Sequence, residues 1–218
     1  MKKIIQPMSI SVLLENVSDK RSVWLNLPAS KKRFAAVLER IGAENGNFII
    51  TDYTHWVLGL YKNELMRTPL AVVNFLASRL KTLYEDDILK LCAIWDTDHW
   101  FDTVAKLINY TYETYKYKLM PGIRDAEMLG NLHLGKPDRS ILSVKHGSFV
   151  DRYAYGVKLA ELEKGVFTPH GYITSKDRWK TRDHTIMDAK WRVPSYLNLK
   201  GTIGEDLYGT WDEHDQSI

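Results

Sequence analysis

Polar and apolar positions change period several times along this chain, and each change marks an element. Ser9–Leu14 alternates weakly, and Ser22–Leu27 alternates clearly, with Val23, Leu25 and Leu27 on one face and Trp24 on the other. Both read as strands, and Pro28 ends the second. From Ser30 the period lengthens: Phe34, Val37, Leu38 and Ile41 fall at helical spacing, Ser30 suits the N-cap, and Gly42 suits the position just past the end. Asn47–Leu60 opens with the apolar run Phe48-Ile49-Ile50. The turn formers Thr51-Asp52 follow, so the run reads as a buried strand emptying into a loop.

The middle of the chain is helical in pattern. Thr68-Pro69 is expected as N-cap and first residue of a helix that buries Val73, Leu76 and Leu80. A second helix starts at Glu85-Asp86-Asp87, whose carboxylates suit a helix N-terminus, with Leu89, Leu91, Cys92 and Trp95 as its apolar side. A third starts near Asp98 and buries Phe101, Val104, Ala105 and Ile108. Pro121-Gly122 is a turn, and Arg124–Leu129 a short helix closed by Gly130. Phe149–Leu162 is a helix with Phe149, Tyr153, Val157 and Ala160 on one face, although Gly156 lies inside it. Val166–Ile173, interrupted by Pro169 and Gly171, is a hairpin or an edge strand.

These elements give an α+β chain of small units flanking a helical middle. The expected divisions are residues 1–62 (α+β), 63–120 (helical), 121–174 (α+β) and an appended tail, 175–218. In that tail Trp179, Trp191 and Trp211 stand among charges without a sustained period.

Composition narrows the function classes. With 44% hydrophobic and 26% charged residues the chain is that of a soluble globular protein. No apolar run reaches the roughly 18–20 residues of a membrane span. The start lacks the apolar core of a signal peptide. The one cysteine, Cys92, forms no internal disulfide and no zinc cluster, so a cytoplasmic location without membrane contact is expected. The net charge of +3 is close to neutral, but the charge is segregated.

Glu85, Asp86, Asp87, Asp96, Asp98 and Asp102 lie within residues 84–102, against Lys90 alone. Of these, Asp96, Asp98 and Asp102, with His99 among them, can hold a hard cation. The acids also suit helix starts or an acidic binding face for a partner. We assign them to the partner face, with no metal and no cofactor. Lys176, Arg178, Trp179, Lys180, Arg182, Lys190, Trp191 and Arg192 interleave positive charge with stacking surfaces, the recipe for a nucleic-acid contact. The seven histidines are scattered, and none is assigned a catalytic role. The phosphate-loop, dinucleotide, zinc-protease and nucleophile-elbow motifs are absent, and the expectation is a protein that is not an enzyme.

An ordered set of segments points further. It comprises Trp24-Leu25-Asn26-Leu27-Pro28, Leu38–Gly42, Phe48–Tyr53, Leu58-Gly59-Leu60 and Leu76-Ala77-Ser78-Arg79-Leu80. Leu107–Tyr110, Met120–Ile123, Tyr155-Gly156 and Gly165–Ile173 complete it. From Met8 to Thr174 this order resembles the ArdA antirestriction family in the form carried by mobile elements of Gram-positive bacteria. The resemblance implies an elongated three-part, often dimeric, non-enzymatic protein that inhibits restriction enzymes by mimicking bent DNA. Duplex DNA carries one charge per about 1.7 Å, so a whole-molecule mimic is strongly acidic, and this chain departs from that pattern. The expected function is an anti-defence inhibitor of a host restriction or CRISPR-type nuclease complex. The alternative is a nucleic-acid-binding accessory protein of a phage or mobile element that uses the basic-aromatic tail.

Overall fold

A computed structural model describes residues 9–55, 62–97, 103–134 and 151–176. The chain is α+β: the described residues form seven α-helices and two three-stranded antiparallel sheets. They fall into two compact units. The first is made of residues 9–55, 62–83 and 103–111, and the second of 84–97, 112–134 and 151–176. The expected middle segment, residues 63–120, is thus shared between the two units. The expected tail, apart from its first two residues, lies outside the described residues.

In the first unit, β1 (Ile10–Asn16) is the central strand, with β2 (Ser22–Leu27) and β3 (Phe48–His55) antiparallel on either side. Strict alternation buries Ile10, Val12 and Leu14 of β1 with Leu25 and Leu27 of β2. Helix α1 (Lys31–Ile41) adds Phe34, Leu38 and Ile41 to this core, and Phe34 meets Phe48 edge to face at 5.8 Å. Its ends follow the expected capping chemistry. The Ser30 hydroxyl accepts from the Arg33 N–H, and Gly42 takes the left-handed conformation at φ 67°. β3 does not end at Thr51-Asp52: Ile50 pairs with Leu14 and Asp52 with Leu13, which leaves Thr51 as the extra residue of a bulge. Nor is it a core strand throughout, since Ile49 on this sheet edge is 40% exposed.

Helix α2 (Lys62–Arg67) was not expected, and it alters the next helix start. The Thr68 hydroxyl donates to the Glu64 carbonyl at its end, so Pro69 takes the N-cap of α3 (Leu70–Thr82). Every residue of α3 from Leu70 to Ala77 is buried, on all sides of the helix. Two asparagines bind the unit together. Asn74 of α3, fully buried, accepts the Ala29 N–H at 2.7 Å and donates to the Ala29 carbonyl at 3.0 Å. Asn16 donates to the carbonyls of both Ile41 and Gly42 at 2.9 Å, tying the end of β1 to the end of α1.

The second unit starts with α4 (Glu85–Trp95). Helix α5 (Val104–Glu113) begins at Thr103, whose hydroxyl accepts the Lys106 N–H, and not at Asp98; it runs from the first unit into the second. A 3₁₀ turn at Thr114–Lys116 then leads into β4 (Tyr117–Met120). Helices α6 (Ala126–His133) and α7 (Arg152–Glu163) have side-chain N-caps, Asp125 and Asp151, that accept the Met128 and Ala154 N–H groups. The strands β5 (Val166–Thr168) and β6 (Gly171–Ser175) form the expected hairpin, with β6 between β4 and β5.

Two glycines correct the expected helices of this unit. Gly130 lies inside α6 and does not close it. A Cβ built on Gly156 would overlap the Ala126 carbonyl, and one on Gly130 would overlap that of Arg152. The two backbones therefore cross in direct contact, and the crossing turns Tyr155, Gly156 and Leu159 inward. The expected face is displaced accordingly: Tyr153 is exposed, and Phe149 lies outside the described residues. Leu129, Tyr155, Leu159 and Tyr172 form the core, covered by Met120, Ile123, Ala160 and Phe167. Tyr172 is fully buried and its hydroxyl donates to Glu163 at 2.9 Å. Burial and that carboxylate raise the phenol well above its ordinary range, so it remains a donor.

Candidate functional site

Helix α4 carries most of the described acidic residues of the predicted partner face. Glu85, Asp86 and Asp87 occupy its first turn, where carboxylates favour the helix dipole, and Leu91, Cys92, Ala93 and Ile94 anchor the helix in the unit. Glu85 and Asp86 are exposed, whereas Asp87 is tied to Lys90 at 3.3 Å. Asp96 is the C-cap, at the other end. At 1.5 Å per residue the two ends are about 16 Å apart, about two screening lengths in physiological salt. The acids that are close in sequence are therefore not one electrostatic patch. Asp98 and Asp102 lie outside the described residues.

Asp96 faces His170 of the β5–β6 turn, with Oδ2 and Nε2 at 3.5 Å and both side chains about one-third exposed. A surface pair of this kind contributes about 1 kcal/mol or less. The hairpin presents His170 through its own bonds. The Thr168 hydroxyl donates to the Gly171 carbonyl and accepts the His170 N–H.

Cys92, one turn before Asp96, is mostly buried. Burial, and secondarily the Asp96 carboxylate, push its thiol up to about 11. It is therefore a protonated core thiol and not a nucleophile. At pH 8 a soluble thiol reagent should label the folded protein roughly a hundredfold more slowly than the urea-unfolded chain, given the ordinary thiol value near 8.5. Labelling at the unfolded rate would contradict this burial. The same reaction reports on the second unit alone.

Among the described residues no group of three or more His, Cys, Asp or Glu side chains converges as a metal site. No helix among them is long and apolar enough to cross a membrane. Of the basic-aromatic residues only Lys176 is described. It is exposed, at the end of the second sheet, where its N–H donates to the Lys116 carbonyl. Arg178, Trp179, Lys180, Arg182, Lys190, Trp191 and Arg192 lie outside the described residues.

The first unit carries a further basic feature, already visible in the sequence. Lys31, Lys32 and Arg33 are exposed on the first turn of α1 and form no ion pair among the described residues. Positive charge there opposes the helix dipole. Over the described residues the first unit holds eleven Lys and Arg against six Asp and Glu, and the second eight against ten. No protein-family model matches the chain, and no curated protein matches it.

Proposed function

We propose that this chain is an anti-defence inhibitor, a non-enzymatic protein that binds a host restriction-modification or CRISPR-type nuclease complex and blocks it. One observation carries the reading: the ArdA-like segments that fall on described residues coincide, in order, with elements of both units, while Leu58-Gly59-Leu60 lies outside the described residues. Trp24–Pro28 is β2 and its end, Leu38–Gly42 the end of α1 with its cap, and Phe48–Tyr53 most of β3. Leu76–Leu80 lies in α3, Leu107–Tyr110 in α5, Met120–Ile123 at the end of β4, and Gly165–Ile173 in the β5–β6 hairpin. Leu25, Leu27, Leu38, Phe48, Tyr53, Leu76, Leu107 and Tyr172 are all buried. The resemblance is thus carried by core positions and supports a common fold more than a common surface.

The surface differs from that of a DNA mimic in a definite way. A track of duplex charges would need carboxylates in series, whereas the first unit carries a basic excess and α4 offers Glu85 and Asp86 at one end only. The inhibitor therefore docks by shape and mixed polar contacts, with those two carboxylates meeting a single basic site on the nuclease. Reversing both, Glu85→Lys with Asp86→Lys, should weaken inhibition at least tenfold in a restriction-proficient bacterium and leave the fold intact, since both side chains are exposed. Unchanged inhibition would remove the acidic contact from the reading.

A second reading, a nucleic-acid-binding accessory protein, is favoured by the exposed Lys31-Lys32-Arg33 turn, which forms no ion pair among the described residues. Its signature is an affinity that falls steeply with salt.

A further inference from the structure

Helix α1 carries positive charge that its own stability does not call for. Lys31, Lys32 and Arg33 fill its first turn, where such charge opposes the helix dipole. Arg33 stands three residues after the N-cap Ser30, the position at which a glutamate would complete a capping box. Its backbone N–H donates to the Ser30 hydroxyl at 3.3 Å, while its side chain is exposed. At 3.6 residues per turn, Lys32, Ala36, Arg40 and Arg33 lie within an arc of about 100°. All four are exposed, on the side away from the buried Phe34, Leu38 and Ile41. The row runs about 12 Å along the helix. Lys31 flanks it, and beyond its far end the Arg21 guanidinium rests against Gly42, with its Nε held by Asp19. Lys31, Lys32, Arg33 and Arg40 form no ion pair among the described residues. Glu39, the one acid of the helix, borders the row on the side away from Arg33 and Arg40.

We infer that the outward side of α1 binds the phosphate backbone of a nucleic-acid duplex. This rests on the nucleic-acid-binding reading and locates it on the first unit. The partner class follows from what the row contains and lacks. Four cations over about 12 Å suit a duplex strand, which presents a phosphate about every 3.4 Å of axis. Ala35 and Ala36, both exposed, let that backbone approach closely. The exposed side has no aromatic ring on which an unpaired base could stack. It also has no large apolar side chain to enter a lipid surface.

Fluorescence anisotropy of a labelled duplex of about 20 base pairs should show the full chain binding at about 50 mM salt, with an affinity that falls as salt rises. Four phosphate contacts contribute about −3.6 to the slope of log affinity against log salt. Arg33→Glu with Arg40→Glu removes two of them. The slope should become shallower by about 1.8, and the affinity at about 50 mM salt should fall at least tenfold. Lys118→Glu with Lys158→Glu, both exposed on the second unit, makes the same change in net charge and should leave the slope unchanged. Arg33→Glu alone completes the capping box, so its thermal midpoint should not fall while its duplex affinity does. A merely structural role for Arg33 would move the two together and overturn the inference. Duplex binding indifferent to the α1 pair, and lost instead with Lys180→Glu and Arg182→Glu, overturns the inference and leaves the reading. No duplex binding at about 50 mM salt overturns both. Binding confined to phosphatidylserine vesicles assigns the row to a lipid surface and overturns the inference as well.

Discussion

Replacing Gly156 by valine should leave the second unit unfolded, and even alanine should cost it several kcal/mol. Two effects compete at this position. Alanine in a helix interior is favoured over glycine by about 1 kcal/mol. Against that, its Cβ would occupy the space of the Ala126 carbonyl and press on the Gly130 backbone. Backbone cannot rotate away as a side chain can, so α6 and α7 must separate and uncover Leu129, Tyr155 and Leu159. Overpacking of well-packed sites typically costs about 1–3 kcal/mol and occasionally more. A helix crossing without side-chain freedom belongs at the upper end, so the clash outweighs the gain in propensity. Gly122→Ala is the control. A Cβ there meets nothing within 4 Å, and stability should change by no more than about 0.5 kcal/mol. Labelling of Cys92, which lies in the same unit, reads both variants. Gly156→Val should label at the unfolded rate and Gly122→Ala at the native one. Native protection in Gly156→Val would contradict the crossing.

In the first unit the largest loss should follow Asn74→Leu. The substitution keeps nearly the same volume and adds apolar surface, so a view of α3 as a purely hydrophobic core helix expects it to be neutral. But Asn74 is the partner of both the N–H and the carbonyl of Ala29, and both residues are almost completely buried. Each buried group left unsatisfied costs about 1–3 kcal/mol, so a loss of about 4 kcal/mol is expected. At a urea dependence of about 2 kcal/mol per molar, the midpoint should fall by about 2 M. An unchanged midpoint would show that the α3 clamp on the β2–α1 connection contributes little.

These two residues also mark the limit of what the sequence discloses. Alternation in Ser22–Leu27 and the spacing of Phe34, Leu38 and Ile41 identify β2 and α1 because each element has one buried face. Ser30 and Gly42 mark the ends of α1 because their capping chemistry is local. β4 was not legible because four residues, Tyr117–Met120, are too few for a period, and α2 is similarly short. Asn74 and Gly156 defy local reading for a different reason. Each looks unfavourable in its own helix and is explained only by a segment far along the chain. The face of α7 was misplaced on the same account, since the glycine crossing, and not the apolar count, sets which side is buried.

The candidate site shows the converse. Glu85, Asp86, Asp87 and Asp96 look like a cluster in sequence, but the helix read from the same residues already separates its ends by about 16 Å. Treating nearness in sequence as nearness in space joined the two ends of one helix. The lone Cys92 was likewise recognisable as unable to form a disulfide, whereas its raised thiol value follows from packing that only the fold supplies.

The central claim is that the chain acts by binding a nuclease complex, and it is tested most directly by recovering that complex. The tagged full-length protein would be expressed in a bacterium carrying defined restriction and CRISPR systems, and its co-purifying species identified by mass spectrometry. The account predicts a nuclease or methyltransferase subunit in stoichiometric amounts, depleted by the Glu85→Lys, Asp86→Lys pair. Recovery of nucleic acid alone, released as salt is raised, would contradict it and establish the nucleic-acid-binding reading in its place.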